Sequence, residues 1–403
     1  MKTKILTASL ICLASFSTFA KTDWVNTDGN PAYTKSLDIN TNPKIFHILW
    51  KVPVNSDPDT KLFLTWNKVI ADNIYFSSYS VDDKKNNTIK SIMNAIDTQT
   101  GKTIWSDQRH NFINLQYNNN MLLEKVNNHL FAFNPRTGEL RYEKILDPYY
   151  LYDDFQSDDN QIYFSSVNLQ KFGNLDGLTG DVNWTVQMPK YTYRKSNISF
   201  NDQYIVTRFF DELYLFDRTN GAYLNGMKVR DIIDPRMMSY QPVTLDKKTA
   251  YLFFQDVDCS DYCSANLYAI DLNQFNIKWV KQKQFINEIV LSANMVFSVD
   301  QKKFTEYQNQ RVNAINAETG VIEWSWKIPS DDTTHFHAPY MVATSDILFV
   351  AGTKHLFAIS LATHDVVWQG DFAATELALG DNKLFFMTKP GEGEAYLHAL
   401  ALS

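Results

Sequence analysis

One short pattern recurs seven times along this 403-residue chain and restricts its fold more than any other feature. It first appears as Asn94-Ala95-Ile96-Asp97, with Thr100-Gly101 and then Trp105. The second copy has Asn134, Gly138 and Tyr142, and the third Asp176, Gly180 and Trp184. The fourth, around Asp217 and Gly221, carries Asn225 where the others place an aromatic. Asp271 with Trp279, Asn316 with Gly320 and Trp324, and Ser360 with Trp368 complete the series. Counted from the Asp-like residue, the aromatic falls eight positions later in six copies and Gly four later in five. Successive copies start 37, 42, 41, 54, 45 and 44 residues apart, a period that marks a repeat architecture.

Each copy reads as a hairpin. An alternating apolar segment ends in Ala-x-Asp, a Thr-Gly turn follows, and a second strand carries Trp. Gly supplies the positive φ the turn needs, and the Asp or Asn carboxamide or carboxylate can accept from the turn amides. Small Ala lets neighbouring sheets approach, while Trp reaches across to the next unit. Further strands precede each hairpin, clearest at residues 339–343 and 347–351. Helical periodicity is nearly absent. The expectation is an all-β, eight-bladed β-propeller of four-stranded antiparallel blades. The tail Leu397-His398-Ala399-Leu400-Ala401 supplies an eighth Ala-containing strand, and residues 46–52 around Trp50 supply its missing partner. The N-terminal strand is therefore expected to join the C-terminal blade and close the ring, removing a sheet edge. The domain reading is 1–20 secretory signal, 21–45 N-terminal extension and 46–403 propeller.

The pattern Ala-x-Asp-x-x-Thr-Gly-x-x-x-Trp resembles the repeat of the PQQ-like, or quinoprotein-like, β-propellers. The start of the mature region, from Asp23-Trp24 through Gly29-Asn30-Pro31-Ala32 to Trp50, is similar to that of exported members. Two branches follow from the resemblance. Cofactor-bearing alcohol and sugar dehydrogenases hold pyrroloquinoline quinone over a Trp, beneath a disulfide between adjacent cysteines and beside calcium. A cofactor-free branch, that of the BamB-type outer-membrane assembly scaffolds, binds partners in the cell envelope. This chain has no adjacent Cys pair, so the cofactor-free branch is the expectation, with no cofactor and no metal.

The N-terminus fits export. Lys2 and Lys4 precede the apolar run Ile5 to Phe16, and Ser17-Thr18-Phe19-Ala20 offers a cleavage site after Ala20. Cys12 raises a lipoprotein reading, but Ile11 occupies the position before it, where a small residue is required. No later stretch reaches the roughly 20 apolar residues of a membrane span. The net charge is −7, and an acidic surface repels phosphate backbones, which argues against nucleic acid as a partner. Cys259 and Cys263, with three residues between them, read as a disulfide in an oxidising compartment, worth about 2 kcal/mol by the loop-entropy estimate.

Function is sought on the loops of the face opposite the Thr-Gly turns, because loops on a rigid scaffold carry recognition. Tyr149, Tyr150, Tyr152, Tyr191 and Tyr193 could bind a peptide strand or a sugar, or pack between blades. Asp234 and Arg236 could meet a charged partner or lie in a solvated loop. His335 and His337 alternate on one strand face, where Asp331 or Asp332 could join them on a metal, although two imidazoles alone are commonly just polar residues. No nucleophile elbow, HExxH or phosphate-cradling loop occurs, so no catalytic residue is assigned. The sequence reads as a monomeric, periplasmic or secreted, non-catalytic scaffold for a protein or peptide. The alternatives are a quinone-dependent alcohol or sugar dehydrogenase and a carbohydrate-binding or lyase propeller.

Overall fold

The computed structural model describes residues 23–403 apart from 27, 55–59, 84–87, 110–113, 127–128, 146–154, 159, 167–170, 188–197, 210–211, 230–241, 256–264, 286–288, 301–308, 334–338 and 389–394. Among the described residues there are 32 strands and one short 3-10 helix, Pro43–Ile45. The strands form eight antiparallel four-stranded blades, with sequence order running from the inner strand to the outer. Blades 5 and 6 merge into one sheet, because the long outer strand Asn276–Phe285 reaches across to pair Phe285 with Asp300.

The inner strands of blades 1 to 8 are Thr60–Ala71, Asn114–Asn118, Phe155–Asp158, Ile198–Phe200, Thr244–Leu245, Val290–Ser292, Tyr340–Ala343 and Ala374–Gly380. The outer strands of blades 1 to 7 are Thr103–Arg109, Leu140–Ile145, Val182–Gln187, Tyr223–Lys228, Asn276–Phe285, Ile322–Lys327 and Val366–Gly370. Blade 8 takes its outer strand from the other end of the chain: His47–Pro53 pairs with Tyr396–Ala401, Ile48 opposite Leu400 and Trp50 opposite Ala399. The ring closes as the sequence implies.

The repeat residues form one joint per blade. The Asp97 carboxylate accepts from the amides of Gln99 and Thr100 at 3.0 and 2.8 Å, and Asp176, Asp217, Asp271 and Asn316 cap their turns in the same way. This shapes the turn so that Gly101 adopts φ +70°, a region costly for a residue with a Cβ. The outer Trp of the preceding blade lies flat on that turn. Trp50, Trp105 and Trp279 each donate Nε1–H to a carbonyl of the next turn, those of Thr98, Pro135 and Ala317, at 2.9, 2.8 and 3.1 Å. Tyr142 makes the equivalent bond to the Gly177 carbonyl at 3.0 Å. At the joint from blade 7 to blade 8, Trp368 meets Phe46 edge-on at 5.8 Å, just before the closing strand.

Blade faces bury their apolar residues against one another. Val69, Phe76 and Ala95 of blade 1 pack with Leu115, Leu122 and Phe133 of blade 2, and each following pair builds a similar cluster. The cluster at the seam joins three blades, combining Phe349 of blade 7, Phe385 and Leu400 of blade 8, and Ile70 and Tyr75 of blade 1. Ala95, Ala132, Ala269, Ala314, Ala358 and Ala399 are all fully buried at equivalent positions, which allows this close approach.

Candidate functional site

In a four-stranded antiparallel blade the first and third turns lie on one face and the second turn and the inter-blade connection on the other. The Thr-Gly turns therefore share a face with the first turns, near Asp72-Asn73 in blade 1 and Asn119-Asn120 in blade 2. On that side of the channel the structure places a segment without regular strands or helices, residues 24–26 and 28–42. Trp24 and Ile70 exchange both backbone hydrogen bonds at 2.8 Å in blade 1. Continuing round the ring, Tyr117 donates to the Val25 carbonyl, Phe200 to Pro31, Leu245 to Ala32, Leu291 to Thr34 and Ala343 to Lys35, at 2.9 to 3.1 Å. Asn42 finally donates to the Leu402 carbonyl at 2.8 Å, beside blade 8.

Blade 3 is reached by side chains instead. Asn26 Nδ2–H donates to Gln156 Oε1 at 2.9 Å, and the Gln156 amide donates in turn to the Tyr33 hydroxyl. Asn30 shapes the detour between, accepting from the amides of Ala32 and Thr34 at 3.1 and 3.3 Å and donating to the Thr34 hydroxyl at 2.7 Å. Trp24, Tyr33, Leu37 and Ile39 are buried, so the segment is packed into the ring and not laid over it.

A cavity of about 280 Å³ opens where this segment begins, lined by Asp23, Val25, Tyr117, Asn118, Asn119, Asp158 and Asn160. Its lining is polar but largely committed. Tyr117 donates its hydroxyl to Asp72, and burial, then that carboxylate, push its pKa upward. Asp158 accepts from Arg218 Nη2 at 3.0 Å, and that guanidinium lies 4.6 Å over the Phe200 ring.

An ion pair and a buried arginine also lie inside the ring. Lys68 on the inner strand of blade 1 pairs with Glu376 on that of blade 8 at 2.8 Å, with side chains 7% and 20% exposed. Glu376 sits at a β-bulge with φ +55°, a conformation non-glycine residues adopt at a cost. Arg208 lies buried with its guanidinium 4.2 Å over the Phe254 ring, and burial pulls its pKa down to about 10, leaving it cationic near neutrality. The sequence reading passed over Lys68, Glu376 and Arg208, since none falls in a motif. Their one available signal was a charge inside an otherwise apolar, strand-like run.

Of the residues singled out from sequence, Tyr149, Tyr150, Tyr152, Tyr191, Tyr193, Asp234, Arg236, His335, His337 and the Cys259–Cys263 pair lie outside the described residues. Asp332, considered as a partner of the two histidines, is buried and takes the backbone amides of Lys354 and His355, each at 2.8 Å, with the His355 ring at 2.7 Å. Among the described residues no group of three or more His, Cys, Asp or Glu could hold a metal, and no helix is long and apolar enough to cross a membrane.

Eight radially arranged blades, an aromatic-on-turn joint in most repeats and a shared terminal blade define a β-propeller of the quinoprotein-like class. More particularly, the sequence matches the family described as outer membrane protein assembly factor BamB over residues 89–324 and 263–383, and the chain belongs to that family. BamB from Moraxella catarrhalis is similar in structure, with a TM-score of 0.55, 13% identity, and coverage of 89% of this chain and 98% of that one. Quinohemoprotein alcohol dehydrogenase ADHIIG from Pseudomonas putida HK5 gives a TM-score of 0.60 at 9% identity, covering 94% of this chain and 80% of that one. A europium-containing methanol dehydrogenase gives 0.58 at 10%, covering 94% and 98%. At these identities the likeness concerns the fold. No curated protein matches the sequence.

The residues present do not fit pyrroloquinoline quinone as the dehydrogenases hold it. Adjacent cysteines are lacking, and Trp50, Trp105, Trp184 and Trp279 of the repeat are pressed against the turns of neighbouring blades.

Proposed function

We propose that this protein is an exported, non-catalytic scaffold that binds protein or peptide segments in the cell envelope during outer-membrane protein assembly. The observation that carries the reading is the outer rim. The outer strand of most blades leaves one backbone edge unpaired, and apolar side chains stand out from it: Ile145 is 65% exposed, Val182 57%, Leu140 52% and Tyr223 50%. Such an edge is a liability for a solitary protein and a template for an added strand. The rim suits an extended partner with alternating apolar residues, as strands of barrel proteins have. Family membership supports the assembly role. The basic and then apolar start of the sequence, read as a leader ending at Ala20, supports export.

The test is photo-crosslinking from positions 145, 182 and 223 in the native envelope, followed by identification of the captured proteins. Capture of barrel-assembly components or nascent barrel strands, lost on Ile145→Lys and Val182→Lys without change in folding, is the expected result. Retention of the chain in the cytoplasm would sink the reading. So would rim positions that capture nothing while the loop face does.

A further inference from the structure

We infer that residues 24–26 and 28–42 are a clasp: they fasten the inner edges of blades 1, 2, 4, 5, 6 and 7 to one another and hold the closing strand His47–Pro53 in place. The inference is independent of what the rim binds.

Each inner strand lies at the end of its sheet and so presents backbone groups that no strand of its own blade satisfies. Buried backbone donors must find partners. In this ring the same position supplies the donor each time. Ile70, Tyr117, Phe200, Leu245, Leu291 and Ala343 all stand two residues before the first turn of their blade, and each gives its amide to the segment. Blade 3 is reached through Gln156, and on blade 8 the segment bonds the Leu402 carbonyl, just past the third strand Tyr396–Ala401 and away from the inner edge. The segment visits the blades in chain order, so opening the ring at any joint between blades 1 and 8 must strip part of it.

Its two ends are the firmest points. Trp24 is locked by reciprocal bonds to Ile70 and is 1% exposed. At the other end Thr41 gives its amide and hydroxyl to Asp346 at 3.0 and 3.1 Å, Asn42 bonds Leu402, and the chain passes through Pro43–Ile45 directly into the closing strand. The strand closes the ring at the rim, while the clasp runs along the inner edges from blade 1 to blade 7 and reaches blade 8 at Leu402.

The experiment is residue-resolved hydrogen exchange on the full chain and on two variants. Asn30→Ala removes the side chain that orders residues 30–34, whose carbonyls take Phe200, Leu245 and Leu291. Gly29→Ala strains the same detour, because Gly29 has φ +104°, a conformation that residues with a Cβ adopt at a cost. The expected result is about tenfold faster exchange at Phe200, Leu245 and Leu291 in both variants, with the Asp217 amide, bonded within its own hairpin, unchanged. Unchanged rates at the three amides, or an equal rise everywhere, overturns the clasp. Pairing Asn30→Ala with Ile48→Ala in the closing strand adds a second readout. The combined loss in unfolding midpoint should exceed the sum of the single losses, and strict additivity overturns the coupling of the two fasteners.

Discussion

Trp184 lies against Gly221 so closely that a Cβ on the glycine would stand 2.3 Å from the indole. The same pairing joins Trp50 to Gly101 and Trp279 to Gly320, where the distances would be 2.8 and 2.7 Å. Gly221→Ala must therefore displace the ring and also hold a Cβ at φ +71°. It should destabilise the fold by about 2–4 kcal/mol, combining left-handed strain with overpacking. Urea unfolding checks this, and a loss below 1 kcal/mol would contradict the joint as described.

One joint is built in reverse. Blade 4 offers Asn225 where the others offer Trp or Tyr, and the turn of blade 5 has Phe275, at φ +52°, where most have Gly. Phe275 is buried among Leu215, Leu213 and Val206 of blade 4, so the ring that fills the joint comes from the opposite side. Phe275→Gly relieves the backbone yet should cost about 2–4 kcal/mol through the cavity it leaves. Adding Asn225→Trp should restore part of the loss, measurable as a favourable coupling in a double-mutant cycle.

The buried pair between blades 8 and 1 should behave asymmetrically. Lys68→Met leaves the Glu376 carboxylate without its partner and should cost about 3 kcal/mol. Lys68→Met with Glu376→Leu should cost clearly less, because no uncompensated charge is then left at that joint. A double variant less stable than the single one would show that the pair contributes more than it costs to desolvate.

Stability should fall with acid through His398. Burial, and then the neighbouring Lys51 charge, lower its pKa from 6.5 to about 4, while its ring stacks on Phe386 at 4.9 Å and bonds the Thr388 hydroxyl at 2.8 Å. The unfolded chain takes up this proton near pH 6.5, whereas the folded chain resists it until about pH 4. The contribution is complete above the upper value and lost progressively as pH drops between the two. His398→Phe keeps the stack and cannot titrate, so its unfolding free energy should vary less with pH across that window.

Much of the fold was written in the spacing of turns. Asp97, Gly101 and Trp105 sit at offsets that only a hairpin with a packed outer strand explains, and their recurrence gave the blade count and the closure through Trp50. The reversed joint escaped, because Asn225 taken alone is simply a missing aromatic. Lys68 and Glu376 are 308 residues apart, a contact that exists only once the ring has closed. The clasp was equally hidden, since it is made mostly by the carbonyls of Val25, Pro31, Ala32 and Thr34, and every residue type carries a carbonyl.

By itself, then, the sequence determined the repeated unit and the way its ends meet, because turn geometry and strand alternation are local and depend on side-chain identity. Tertiary structure alone decided what occupies the inner edges, which side fills each joint and where charge is held within the ring. Those outcomes depend on backbone groups and on distances between blades, neither of which leaves a mark on the order of residues.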